Sequence, residues 1–234
     1  YEKSPNLKSN IDLDMSHTLN DKTVIKSFLY NENDNKIEIN DLTLNKNFKI
    51  KSLKNIILEY FDKDLRQNNI KVLRDKNNSY KISGSKFNAN GLIKNLTSSD
   101  TNDLKIFDQK LNFNINIDQV YLDKEHLIKE FKGMLNLEKN EISNAKLNAF
   151  FSNNKIFKFT VSTNENEKVT TIFLDNAEPL VKRYKFVKGY KGGSLDFYSS
   201  KKGKKSFSNL KIYDFRLKEL PILTKLLTLA SLQG

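Results

Sequence analysis

Side chains able to do chemistry are scarce in these 234 residues. There is no cysteine, which removes thiol nucleophiles, thiolate metal sites and any disulfide framework. The two histidines, His17 and His126, are far apart in sequence, and neither has the neighbouring cluster from which a zinc site or a His-centred triad is built. Both read as plain polar positions. Asp175 and Glu178 form a carboxylate pair, but their spacing is that of a capping box at a helix start. The expectation is a protein that is not an enzyme, with no catalytic residue, no metal site and no cofactor.

The charge gives a weak pointer. Forty Lys+Arg against 28 Asp+Glu leave +12, with a pI near 9.5, so phosphates or an anionic membrane surface are conceivable partners. About thirty asparagines accompany many lysines and isoleucines, an excess that AT-rich coding produces by itself. The basic residues are scattered, no glycine-rich phosphate loop or recognition helix is present, and the aromatics alternate with the polar residues of strands. Nucleic acid is therefore not an expected partner. The one dense basic run, Lys201-Lys202-Gly203-Lys204-Lys205, reads as a solvated hairpin tip protecting a sheet edge; contact with anionic lipid heads is its other use.

What must position these residues is mostly strand. Leu111, Phe113, Ile115 and Ile117 alternate with Asn112, Asn114 and Asn116, placing four apolar side chains on one face and three amides on the other. The same period returns at Ile37/Ile39, Tyr80/Ile82, Leu135/Leu137, Leu147/Ala149/Phe151, Phe157/Phe159/Val161, Val169/Thr171/Phe173, Leu195/Phe197 and Tyr213/Phe215/Leu217. Polar turn clusters such as Asn31 to Asn35 and Thr163 to Glu167 separate the runs at meander spacing. No linker divides the chain, so residues 1–234 read as one continuous β unit of antiparallel sheet.

Three segments break the period. Asn88 is placed to cap a short helix running to Leu96, with residues 97–103 as loop; Asp175-Asn176-Ala177-Glu178 opens a second helix; and Pro221 starts an amphipathic helix over Ile222 to Ala230. The apolar stretch Leu220 to Leu232 carries Lys225 and falls well short of the ~20 residues needed to span a bilayer. The chain begins at Tyr1, lacks a signal-peptide pattern and ends without a polar tail, and so reads as a piece of a longer protein whose anchor lies outside it. Helices this few and short cannot cover so many strands. Two solutions stay open: a closed sandwich or barrel, or a curved sheet whose apolar face lines a cavity.

The C-terminal half carries a resemblance. The run Gly189-Tyr190-Lys191-Gly192-Gly193-Ser194-Leu195-Asp196-Phe197, the basic hairpin, Leu210 to Leu217 and then Leu220 to Leu232 together resemble the C-terminal segment of AsmA-like proteins of the YhdP type, in their alphaproteobacterial form. Phe173-Leu174-Asp175-Asn176-Ala177 and Ser83-Gly84-Ser85-Lys86-Phe87-Asn88-Ala89 are similar to that family's pattern too, so residues 80–234 are the best supported. Asn88, Asn176-Ala177 and Ser208-Asn209 depart from the pattern at turn and cap positions.

The resemblance implies a mainly β, elongated, twisted antiparallel sheet curved into a hydrophobic groove, with a few short helices. It implies a periplasmic protein of bridge-like lipid transport, anchored to the inner membrane by a segment outside this chain. Its partners would be phospholipids and, through other parts of the chain, the inner and outer membranes. The groove lining it implies is Leu111, Phe113, Ile115, Ile117, Leu135, Leu137, Leu147, Phe157, Phe159, Val161, Phe173, Leu195, Phe197, Tyr213, Phe215 and Leu217. The other function open to such a pattern is a structural or partner-binding β-sandwich of a secreted or surface protein.

Overall fold

The computed structural model describes residues 8–18, 22–76, 78–91, 93, 110–138, 141–184 and 189–217. The helix expected over Ile222 to Ala230 and the loop 97–103 lie outside them. Fourteen strands form one sheet: β1 (Ser9–Thr18), β2 (Lys22–Glu32), β3 (Asn35–Leu44), β4 (Ile50–Ser52), β5 (Asn55–Phe61), β6 (Gln67–Lys76), β7 (Ser79–Asn88), β8 (Leu111–Tyr121), β9 (Leu127–Glu138), β10 (Glu141–Phe151), β11 (Ile156–Asn164), β12 (Glu167–Leu174), β13 (Tyr190–Lys202) and β14 (Lys205–Leu217). Thirteen follow one another across the sheet in chain order, and β4 pairs with β3 beside that path. The sheet is curved and does not close, since β1 and β14 each have a single neighbour.

Apart from a few scattered approaches, every strand touches only its ladder neighbours among the described residues. No second sheet lies across the first, so sandwich geometry is not what these strands adopt. The nine alternating runs read from the sequence all fall inside strands. β1, β2, β4, β5 and β6 were not legible that way. In β2 (KTVIKSFLYNE) and β5 (NIILEYF) apolar residues sit on both faces, which erases the period of two.

One step breaks the meander. β7 and β8 pair in parallel, whereas every other ladder is antiparallel. A parallel neighbour cannot be reached by a hairpin, because the chain must return from one end of the strands to the other. Residues 89–110 make that crossing. The described start of the crossing is a helical turn, Ile93 N–H donating to Ala89 O at 2.9 Å, and both side chains join the main apolar cluster. Asn88 caps this turn as expected, its Oδ1 accepting from Asn90 N–H at 3.1 Å.

Helix α1 (Glu178–Tyr184) lies between β12 and β13. Its cap differs from the expected box: Asn176 Oδ1 accepts from Glu178 N–H at 3.3 Å, while Asp175 reaches across to the Ile156 N–H of β11 at 2.7 Å. The acid three residues after the expected cap, Glu178, is drawn to a basic partner instead.

Curvature is produced at irregular backbone. Glu130, Asp214, Gly192 and Gly193 take positive φ inside strands, and ladder register shifts occur in β9–β10 and β6–β7. Such bulges bend a strand and increase its twist.

Candidate functional site: the apolar face and its rim

Opposed residues of a ladder point to the same face, so the registers trace a row across the whole sheet. Starting at β1 it runs Leu13, Phe28, Ile39, Ile56, Val72, Ile82, Ile115, Gly133, Leu147, Phe159, Ile172, Phe197, Leu210. No polar side chain interrupts it. The row shifted by one residue, on the other face, runs Asp12, Leu29, Glu38, Ile57, Lys71, Ser83, Asn116, Lys132, Asn148, Lys158, Phe173, Asp196, Lys211. Ten of those thirteen are polar or charged. The single parallel step preserves the alternation, because Ile82 stands beside Ile115 and Ser83 beside Asn116.

Burial along the apolar row is graded. Ile115 and Leu147 are buried, residues on either side are half-buried, and the ends are open, with Leu13 49% and Leu210 52% exposed. Among the described residues the side chains are covered mainly by lateral neighbours, with Ala89 and Ile93 of the helical turn and Ala177, Leu180 and Val181 at α1 packing on the same cluster. Ring contacts supply part of this: Tyr80 stacks on Phe113 at 5.9 Å, and Phe157 meets Phe131 and Phe151 edge to face at 6.2 and 6.3 Å. At a strand spacing of ~4.8 Å the row measures roughly 58 Å along the curve.

Of the expected lining, Leu111, Phe113, Ile115, Ile117, Leu135, Leu137, Leu147, Phe157, Phe159, Val161, Leu195 and Phe197 share this face. Leu217 packs on the same cluster, and Phe215 reaches it by stacking on buried Tyr190 at 5.5 Å. Two assignments are wrong. Phe173 pairs with Lys158 and Asp196, and Tyr213 pairs with Ser194 beside Lys211, so both side chains leave the opposite face. In β12 the inward residues are Leu174, Ile172 and Thr170; the apolar Val169 and Phe173 occupy outward positions and imitate the other phase. In β14 the positive φ of Asp214 reverses the alternation between Tyr213 and Leu217.

Two glycines are required on the inner face. A Cβ on Gly84 would lie 2.1 Å from Asn69 O, and one on Gly133 1.9 Å from Lys146 O. Both stand next to the row's centre, opposite Ile117 and Ile115.

The rim at the ends of β5, β7, β8 and β12 is held by polar contacts that composition did not reveal. Arg66 lies over the Tyr121 ring at 4.4 Å and donates to the carbonyls of Asp123 and Lys124, each at 2.6 Å. Arg183 of α1 donates to Leu122 O at 2.5 Å and to Asn90 Oδ1 at 3.0 Å. Asp62 accepts from the N–H groups of Asp64 and Arg66 and from the Asn88 amide at 2.5 Å. Burial pushes its carboxyl upward, but these donors outweigh it and hold the pKa below the usual carboxylate value. The same balance lowers Asp123, with donors from Glu125 and His126, and Glu178, with donors from Lys182 and Gly192.

His126 is more than a plain polar residue. Its Nδ1 is 2.9 Å from Asp123 Oδ2, and its Nε2 is 4.0 Å from Glu178 Oε1. Ligand atoms of Glu125, His126 and Glu178 all lie within 4.8 Å of one another. The position between the two glutamates is filled by the Lys182 ammonium, 2.6 Å from Glu178 Oε1 and 3.0 Å from Glu125 Oε2. The cluster acts as an ion-pair staple between α1 and the β8–β9 turn. His17, by contrast, meets Thr23 Oγ1 at 3.0 Å and no carboxylate among the described residues. No helix among the described residues is long and apolar enough to cross a membrane.

No protein-family model, no curated protein and no solved structure matches this chain.

Proposed function

We propose that this chain is a lipid-carrying segment of an AsmA-like periplasmic protein, in which the apolar face shields phospholipid acyl chains while the head groups remain in water. The observation that carries it is the unbroken apolar row through all thirteen strands of the path, over which no second sheet lies among the described residues. Each methylene moved from water onto such a wall contributes ~0.8 kcal/mol. The tails of one leaflet occupy about half of the ~30 Å hydrocarbon thickness, so the row is long enough to hold a tail completely at many successive positions. A tail moving across the strands meets no charged side chain in that row, and therefore no site that traps it. Head groups have open water and the polar rims as surroundings. The chemistry needed is solvation, with no bond made or broken. The family assignment rests on the ordered C-terminal motifs, and the periplasmic location and inner-membrane anchor follow from it.

The test is a photoreactive residue placed at Phe113 or Phe159 on the inner face, compared with Asn114 or Lys158 on the outer face, in the full-length protein in a Gram-negative periplasm. Phospholipid adducts are expected at the first pair alone. Adducts at neither pair, in a protein shown to be folded, would overturn the proposal.

A further inference from the structure

The two residues misassigned to the groove belong to a second feature. On the outward face of the last three strands, Phe173, Tyr198, Phe207 and Tyr213 line a shallow depression of about 370 Å³ together with Asn209 and Lys211. Phe207 is 63% exposed, and Tyr198 and Tyr213 are each 42% exposed. This is the reverse of the pattern elsewhere on that face, where amides and lysines predominate. Phe207 opposes Ser200, two pairs from the hairpin tip carrying Lys201, Lys202, Lys204 and Lys205. All four lysines and Lys211 are exposed, and none forms an ion pair with a described carboxylate. Across the hairpin from 190 to 217, its turn included, there are seven basic residues against two acidic ones.

Edge protection against aggregation accounts for the lysines; it gives no reason for exposed aromatics beside them. Aromatic rings, here two of them tyrosines with polar tips, next to a polybasic cluster suit the interface of an anionic bilayer, rings at head-group depth and ammonium groups on the phosphates. We propose that the outward face of the β13–β14 hairpin docks on an anionic phospholipid surface. This rests on the lipid-carrying function above and deepens it: the open end of the apolar row, Leu210 on the same strand, is then held beside the bilayer with which lipid exchanges.

The chain contains no tryptophan, so Phe207→Trp creates a single reporter. With phosphatidylcholine vesicles containing about a quarter phosphatidylglycerol, the emission of this variant is expected to shift to the blue. Phe150→Trp, on the outward face of β10 and also exposed, is expected to stay unshifted. Replacing Lys201, Lys202, Lys204 and Lys205 by glutamine should weaken vesicle binding by roughly tenfold or more, and so should added salt. Binding with no shift at position 207, equal binding to neutral vesicles, or binding to a DNA oligonucleotide in preference to vesicles would each overturn the proposal. Crosslinking at Phe113 in the glutamine variant separates the two ideas: loaded tails with lost docking leave the groove standing and isolate the hairpin's role.

Discussion

At the scale of single residues, what the inner face tolerates is set by how closely strands approach. Gly133 has φ +148°, and its missing side chain leaves room for Lys146 O where a Cβ would sit at 1.9 Å. Gly133→Ala must therefore open the β9–β10 ladder or twist its own backbone, a cost of about 2–3 kcal/mol or more. For a domain of this size that is a fall in Tm of roughly 5–12 °C. Gly91 opens a helical turn and a Cβ there meets nothing within 4 Å, so Gly91→Ala should leave Tm unchanged or raise it slightly. Equal effects of the two substitutions would show that the close approach does not constrain the sheet. Phe173 and Tyr213 teach the same lesson about reading a sequence. The period of two was correct for β8 and β11 because the positions between their inward residues, Asn112, Asn114 and Asn116 in one and Lys158 and Thr160 in the other, are polar. In β12 outward Val169 and Phe173 mimic an inward phase, and in β14 one positive φ at Asp214 changes the phase. Neither event has a composition signature.

At the scale of elements, the rim is where distant segments are locked together, and its chemistry makes it sensitive to acid. Asp62, Asp123 and Glu178 have depressed pKa values in the folded chain. Between the folded and unfolded values the unfolded chain binds more protons, so the stability they contribute is present above the ordinary carboxylate pKa of about 4 and is lost as pH falls through the lower folded values. The expected Tm profile is level through neutral pH and declines below about pH 4. Asp62→Asn should remove part of that decline and lower Tm at neutral pH, since it turns an amide donor toward the amides of Asn88 and Asn68. A decline of unchanged size in that variant would show that Asp62 is not among its sources. Little of this rim was legible beforehand. Arg66, Asp123 and Arg183 are ordinary charged residues in sequence, and their partners lie on other elements, 93 residues away for the Arg183–Asn90 pair. The capping reading of Asp175 and Glu178 placed the helix start correctly and both side chains wrongly, because local spacing carries no information about β11 and because the Lys182 ammonium, one turn further along α1, competes for Glu178.

At the scale of the molecule, a sheet whose strands meet only their neighbours behaves more like a repeat array than a globule. Stability is then close to a sum of strand terms and nearest-neighbour ladders, and opening proceeds from the ends. The two ends are not protected alike. β1 carries exposed Ile11, Leu13 and Met15 and has no other partner among the described strands; β14 exposes Phe207, Leu210 and Phe215 but belongs to a thirteen-residue hairpin ladder anchored through Tyr190. The interior from β8 to β13 holds most of the main apolar cluster and both arginine staples. Amide hydrogen exchange should therefore be fastest in β1 and β2, intermediate at β14 and slowest across β8 to β10, a gradient spanning several kcal/mol of opening free energy. Bound phospholipid should slow exchange most where the row is half-covered, at β2 to β7, since there a tail adds a layer over side chains that the described residues leave half-exposed. Uniform protection from β1 to β14 would mean that the sheet opens only as a whole, and would require packing across the apolar face by something other than the strands.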